Sequence, residues 1–422
     1  ILPPPISTLF PYTTLFRSSD HYHYWEEGGA NYHCRYNSWD AVRGQEGDGW
    51  IGQVAEPEVK DVYGYWRRHD EVNRAHMDRE ERMPQATTFG KGLEFIRRNA
   101  DQDNWFCQIE TFDPHEPFTA PARFKEAFDT GWNGPIRDWP RYGRVDELPA
   151  ECEELRANYY AVVAMCDDLL GQLLDWFDAN EMWKDTALVV TTDHGFLLGE
   201  HDFWAKNRMN LYEEVAHIPL FLHDPRHPER AGTRSQALTQ SIDLAPTFLD
   251  LFGATPPAEN EGISLCRMAD GTAPRDGVLF GYFGGAVNVA DGRYTYHRFP
   301  EDLSKQELYQ YTLMPTHIFS PFSTEELAGT TISPPLGFTK GANLLKVPVI
   351  ERSPMYNNYG PGALLESETR LYDLATDPGQ EAPLSDAAVE GRLAALMRRL
   401  MTENGAPPEA FARIDLDPSA AG

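Results

Sequence analysis

The residues best placed to do chemistry lie in one run, Thr192-Asp-His-Gly-Phe-Leu-Leu-Gly-Glu-His-Asp-Phe-Trp-Ala-Lys206. Asp193 offers a hard oxygen ligand and His194 a nitrogen ligand, so the pair can form part of a divalent metal site. Gly195 lets the chain turn sharply behind them. Lys206 adds a cation thirteen residues after Asp193. A metal and a lysine together would neutralise the charge that develops on an anionic ester. A second segment, Thr111-Phe-Asp-Pro-His-Glu-Pro-Phe118, carries His115 and is punctuated by two prolines, which makes it a loop. A third, Ser19-Asp-His-Tyr-His-Tyr-Trp25, carries His21 and His23.

These segments need elements to hold them. Thr186-Ala-Leu-Val-Val-Thr-Thr192 is a β-branched run and predicts a buried strand that ends at Asp193. Asn104-Trp-Phe-Cys-Gln-Ile-Glu110 predicts a short strand leading into the His115 loop. Between them, Arg156 to Trp183 predicts a long helix, with Tyr159, Val163, Leu170, Leu173, Leu174 and Phe177 at helical spacing. A shorter helix is expected over Phe89 to Asn99. Strand, loop, long helix, strand and polar turn is the order of an α/β sheet. Ligands in such sheets sit off the carboxyl ends of the strands, where Asp193, His194 and the Asp113–Phe118 loop fall.

Farther on, Ile218–Leu222 predicts a strand. Asp243 to Gly253 predicts a helix with Asp243 as N-cap and Gly253 as stop. After about residue 275 the texture changes to short antiparallel strands at 278–282, 286–289, 293–297 and 369–374, with a loop-rich stretch over 300–366. Ser385 is expected to cap a final helix that stops at Gly405. The fold class expected is α/β, a mixed and mostly parallel sheet sandwiched by helices over 19–275, followed by a smaller α+β domain over 276–422.

The chain has 422 residues, 65 acidic and 37 basic, for a formal net charge of -28. That balance disfavours a nucleic-acid partner and an anionic membrane surface. A hydrophobic content of 41% fits a globular protein, and no apolar run reaches the length of a transmembrane helix. The five cysteines are scattered without a CxxC pair, so neither a disulfide scaffold nor a zinc cluster is indicated.

The segment ALVVTTDHGFLLGEHDFWAKNRMNLYEEVAHIPLFL (187–222) resembles the second signature of the sulfatases of the alkaline phosphatase superfamily. Four further blocks are similar to that family in the right order: WFCQIETFDPHEPFTAP (105–121), NYYAVVAMCDDLLGQLL (158–174), SIDLAPTFLDLFG (241–253) and RLYDLATDPGQEAPL (370–384). The resemblance implies an alkaline-phosphatase-like fold and hydrolysis of a sulfuric ester of a small molecule or sugar. It implies Asp193 and His194 as metal ligands, for calcium most often and for magnesium or manganese in some members. Lys206 would contact the sulfate, and His115 would contact it or protonate the leaving oxygen. His23 takes the place of the His in the family's G-K-W-H, and His21 that of its Lys, the Lys itself being absent. The Asp-His form is similar to iduronate sulfatase, choline sulfatase and phosphonate monoester hydrolases. A phosphonate monoester hydrolase or phosphodiesterase, and a non-catalytic binder of sulfated ligands, therefore stay open as alternatives.

Sulfatases take their nucleophile from C/S-x-P/A-S-R, converted to formylglycine, and use an Asp-Asp pair at the end of the first strand. Neither motif occurs here: Cys34, Cys107, Cys152, Cys166 and Cys266 all have the wrong followers. The opening ILPPPISTLFPYTTLFRS closely resembles translated read-through of a sequencing adapter. Residues 1–18 are accordingly set aside as a non-native leader, and the catalytic domain is expected to lack its first strand and nucleophile. On that reading the formylglycine, and the generating enzyme that makes it, belong to a longer protein. This chain would turn over little or no substrate, and its cellular location stays open.

Overall fold

The computed structural model describes residues 13–25, 33–58, 62–64, 67–314, 316–317 and 320–419. Residues 1–12 of the segment set aside above lie outside them. The chain divides into two compact units, Ile1–Thr186 with Leu198–Trp204, and Ala187–Leu197 with Ala205–Gly422.

In the first unit, strand β1 (Thr14–Ser19) lies between β2 (Ser38–Ala41) and β3 (Trp105–Glu110), parallel to both. Leu15 stands opposite Phe106 and Ser19 opposite Glu110. Part of the segment set aside above is thus built into this sheet. Residues 14–18 form its centre because Leu15 and Phe16 bury, and Phe16 stacks on Phe95 at 4.6 Å.

Helix α1 (Pro84–Arg98) starts five residues before the expected Phe89, since Pro84 suits the first helical turn. It buries Leu93 and Ile96, and at Gly92 it comes so close to β3 that a Cβ would stand 2.3 Å from Ile109. Helix α2 (Pro149–Ala179) also starts earlier than Arg156, with Pro149 in its first turn and Glu151 accepting the N–H of Leu148 at 2.8 Å. Its buried stripe is Leu155, Val162, Met165, Leu169, Leu173 and Phe177. Val163, expected inward, is exposed, because the stripe runs one residue away from it.

In the second unit, β4 (Leu188–Thr191) pairs antiparallel with β5 (Leu220–His223), Thr191 opposite Leu220. The strand is half-buried up to an exposed Thr191 rather than fully buried. Helix α3 (Leu244–Leu251) follows. Asp243 does not cap it, as the sequence suggests. Its buried carboxylate accepts from Gln240 N at 2.7 Å and Ile263 N at 2.8 Å, and pairs with both Arg275 Nη atoms at 2.7 Å.

Four antiparallel strands, β6 (Val278–Gly281), β7 (Val287–Ala290), β8 (Tyr294–Arg298) and β9 (Arg370–Asp373), form a sheet in that order. Helix α4 (Ala387–Glu403) packs Leu393, Met397 and Met401 into a core with Val289, Tyr296 and Leu371. Asp386, not Ser385, caps α4 by accepting from Ala388 N at 3.0 Å and Val389 N at 3.1 Å. The stretch expected to be loop-rich holds a further antiparallel sheet, Tyr309–Thr312, Leu344–Pro348 and Thr331–Ser333. The expected boundary after residue 275 also moves. Gln240 donates to Leu279 O at 2.8 Å, and the Arg275–Asp243 pair fastens α3 to the chain entering β6, so one unit spans both sides.

The sequence expectation of an α/β fold with a parallel sheet, helices and a C-terminal antiparallel-sheet-plus-helix region is therefore met. No helix among the described residues is long and apolar enough to cross a membrane.

Candidate functional site

The candidate residues fall into two groups, one in each unit. In the second unit, β4 delivers Asp193 and His194 just past its carboxyl end. The chain then turns at Gly195, whose N–H donates to Val215 O at 2.9 Å. A Cβ at Gly195 would stand 1.8 Å from the carbonyl oxygen of Glu214, so only glycine fits.

His194 Nδ1 lies 2.9 Å from Gly195 O. A carbonyl can only accept, so Nδ1 carries the hydrogen and Nε2 keeps its lone pair. Lys206 Nζ lies 3.2 Å from that Nε2 and donates to it. Lys206 is flanked by two non-glycine residues in left-handed backbone, Ala205 (φ 74°) and Asn207 (φ 66°), a strained arrangement that fixes where the lysine leaves the chain. Its residue is only 8% exposed, yet it forms no ion pair among the described residues. Asp193 is exposed and accepts the N–H of His194 at 2.8 Å. Desolvation pulls its carboxyl up, but His194, that N–H and the Lys206 charge together hold it below the ordinary aspartate range.

In the first unit, three histidines surround Phe112. The ring of His21 lies 4.9 Å from it, that of His23 5.9 Å and that of His115 4.2 Å. His115 Nδ1 donates to Glu116 O at 2.6 Å, which leaves Nε2 as the nitrogen able to exchange a proton. His23 Nε2 lies 3.6 Å from Glu46, and Glu46 accepts the Tyr22 hydroxyl at 2.5 Å.

Beside these rings is a group that sequence reasoning passed over. Gln45 Nε2 donates to Asp20 at 2.9 Å and to Asp113 at 3.2 Å, with all three residues buried. Phe112 N also donates to Asp20, at 2.7 Å. Burial pushes the Asp20 carboxyl up to about 6. Burial first, and then the neighbouring Asp20 charge, raise Asp113 well above its usual range. The proline-punctuated loop pointed to Asp113, but nothing in the sequence ties Gln45 to it.

The expected metal can be tested against these donors. Asp193 and His194 supply two, and no group of three or more His, Cys, Asp or Glu able to hold a metal occurs among the described residues. Calcium takes six to eight oxygen ligands. The Lys206 ammonium against His194 Nε2 also opposes a cation at that nitrogen. Among the described residues these donors do not complete a metal shell. Nor do the half-buried Cys107 and Cys166 supply a reactive thiolate, since desolvation pushes both up to about 12.

Comparison with known proteins follows this geometry. The sulfatase family model matches residues 12–254, and that for the N-sulphoglucosamine sulphohydrolase C-terminal region matches residues 199–329. The chain is 31% identical over 159 residues to N-acetylglucosamine-6-O-sulfatase of Bacteroides thetaiotaomicron, covering 37% of this chain and 26% of that protein. It is 26% identical over 233 residues to choline-sulfatase of Rhizobium meliloti, covering 49% of this chain and 44% of that protein. The chain thus spans less than half the length of these curated relatives. Among solved structures, it resembles a phosphonate monoester hydrolase of Agrobacterium radiobacter with a TM-score of 0.51 and 20% identity, covering 77% of this chain and 61% of that one. That likeness concerns the fold. Because the family match runs without a break from β1 through the Asp193-His194 turn to the end of α3, the chain belongs to the sulfatase family.

Proposed function

We propose that this chain carries the oxyanion-binding part of a sulfuric ester hydrolase acting on a sulfated small molecule or sugar. One observation supports the reading above the others: a nearly buried ammonium, Lys206, whose hydrogen-bond partner is a neutral imidazole. A nearly buried cation with no carboxylate in ion-pair contact is costly unless a counter-charge arrives. An ammonium has three N–H donors, and His194 accepts one, so two remain for the oxygens of a bound sulfate. The curated relatives named for sulfate esters support the same chemistry.

His115 is assigned to the leaving oxygen, with Nε2 carrying the proton and Nδ1 tied to Glu116. His21 and His23 are assigned to the substrate side, His23 oriented by Glu46. Asp193 and His194 would contribute to a divalent metal, calcium by the family resemblance, with magnesium or manganese as alternatives. Two donors do not complete that shell, so no step is derived through it. The nucleophile, a formylglycine made by a separate generating enzyme, is assigned to a longer protein, because no Cys or Ser here stands in C/S-x-P/A-S-R. The absence of that motif from the chain also favours a second reading, a sulfated-ligand binder without turnover.

The test is inorganic sulfate titrated into this chain by isothermal calorimetry. Saturable binding that Lys206→Met weakens at least tenfold is expected. Binding that ignores the lysine would overturn the assignment. Phenylphosphonate binding much more tightly than phenyl sulfate would move the phosphonate ester reading ahead.

A further inference from the structure

We propose that Gln45 is a positioning residue for His115, holding the turn that aims its ring. The geometric part stands on the first unit alone. Its consequence for turnover rests on the assignment of His115 to the leaving oxygen.

The His115 loop is short of donors of its own. Pro114 and Pro117 have no N–H, so two backbone donors are missing from Asp113–Phe118. A local bond closes the turn, from His115 N to Phe112 O at 3.1 Å. Side chains from elsewhere then hold it in place. Asp20 accepts Phe112 N at 2.7 Å, and Gln45 Nε2 donates to Asp113 at 3.2 Å and to Asp20 at 2.9 Å. The one amide thus clamps the Asp113 side chain directly and the Phe112 backbone through Asp20. The Phe112 ring lies 4.2 Å from that of His115, whose Nδ1 donates to Glu116 O at 2.6 Å. A shift of Phe112 or Asp113 therefore turns the imidazole away from that carbonyl.

The turn that carries Gln45 is itself pinned. Asp48 accepts Arg43 Nε at 2.7 Å and Gly44 N at 2.9 Å, and its own N–H donates to Gln45 O at 3.0 Å. Gly44 has φ 119° and lies so close to Trp50 that a Cβ would stand 2.9 Å from that ring. Glu46 is left-handed at φ 50° without being glycine, strain of a kind that gathers where side chains must be aimed. Successive residues then serve separate histidines. Gln45 faces Asp20 and Asp113, whereas Glu46 faces Tyr22 and His23.

Stability alone does not call for an amide here. Asp20, Gln45 and Asp113 are all buried, and burying two carboxyls around one amide costs more than packing apolar side chains of like volume. What a satisfied group of this kind supplies is one specified arrangement of the chain around it.

The experiment uses the whole chain labelled with nitrogen-15 histidine, read on the neutral rings. His115 is expected as a single tautomer with its hydrogen on Nδ1. Gln45→Leu keeps the bulk and removes both hydrogen bonds. It should give His115 a second signal, the Nε2–H form, at roughly a fifth of the total or more, the scale for losing one neutral hydrogen bond. His23 should not change. Glu46→Gln should do the reverse, altering His23 and leaving His115 alone. His297 lies in the other unit and should stay constant in both. An unmoved His115 in Gln45→Leu would overturn the proposal. So would equal changes of His115 and His23 in both variants, which would make the turn a support for the fold only. Should Gln45→Leu unfold the chain, the native His297 signal disappears, and Gln45→Asn takes its place. The shorter amide reaches one carboxylate at a time and must shift His115 in the same direction, or the proposal falls. The sulfate titration with Lys206→Met reads the other unit, so the proposed function can fail while the positioning stands, and the reverse.

Discussion

Lys206 Nζ lies 3.2 Å from His194 Nε2, on the side of the imidazole opposite the nitrogen that donates to Gly195 O. One contact therefore fixes the tautomer of the histidine and the direction of the lysine. Each residue carried a separate role when read along the chain, ligand for one and sulfate contact for the other. Their mutual hydrogen bond is a property of the fold, made by the left-handed backbone on either side of Lys206.

The first prediction concerns that pair. If the proposed function holds, then in a protein that joins this chain to the proposed nucleophile Lys206→Met should lower kcat/KM on a sulfate ester by about a hundredfold or more, the scale for removing one charge-stabilising donor. Lys206→Arg should rescue little, because a planar guanidinium cannot replace a compact ammonium at one acceptor nitrogen. In this chain, nitrogen-15 spectra of the His194 ring should report hydrogen on Nδ1. A signal from the Nε2–H tautomer would contradict the contact.

Two glycines predict unequal penalties. At Gly195 a new Cβ meets a backbone oxygen at 1.8 Å, which cannot swing away. At Gly92 the obstacle is the side chain of Ile109, at 2.3 Å, which can change rotamer. Gly195→Ala should cost about 3 kcal/mol, the upper end for overpacking, and Gly92→Ala about 1 kcal/mol. Urea denaturation of both variants measures this. Equal losses would mean that the backbone at Gly195 gives way more easily than its contact with Glu214 implies.

The Arg275–Asp243 pair offers a stability test in the second unit. Asp243 is fully buried and Arg275 half-buried, and the carboxylate also accepts two backbone N–H groups. Removing one partner strands a buried charge, so Arg275→Ala should destabilise by about 3–5 kcal/mol. Arg275→Ala with Asp243→Asn should recover part of that loss, because the amide can be buried uncharged. A double variant as weak as the single one would mean that geometry, not charge, is at stake.

The sequence revealed the chemistry-bearing turn because its signals are local. A β-branched run breaking at Asp-His-Gly needs no tertiary knowledge to read. The same holds for the α4 pattern of Leu393 and Met397, and for its stop at Gly405 (φ 66°). What escaped depended on distant partners. Asp243 looks like an N-cap until Arg275, 32 residues later, claims its carboxylate. Val163 sits at helical spacing from Leu170, but the face that buries is chosen by what packs on α2. Gln45 joins Asp20 to Asp113 across 25 and 68 residues, and no spacing rule reaches that far. Residues 14–18 are set aside for their origin, yet every residue of the strand after Thr14 buries between β2 and β3.

The last prediction is that the two units respond to acid in opposite directions. Asp20 titrates at about 6 in the folded chain against 3.8 when free, so the fold binds a proton there that the unfolded chain releases. Its stabilising contribution is complete below 3.8 and is lost as pH rises through about 6, a change on the order of 3 kcal/mol. His297 is the reverse. Burial, and then the Arg370 charge, lower it from 6.5 to about 3, and Thr295 Oγ1 lies 3.0 Å from its Nε2. Its contribution is complete above 6.5 and is lost as pH falls toward about 3. Hydrogen exchange followed by mass spectrometry from pH 7 to 5, corrected for intrinsic rates, should show rising protection in β1 and β3 and falling protection in β7 and β8. Asp20→Asn should flatten the first trend and His297→Gln the second. Parallel trends in both units would mean that the Asp20–Gln45–Asp113 group does not hold the proton its burial demands.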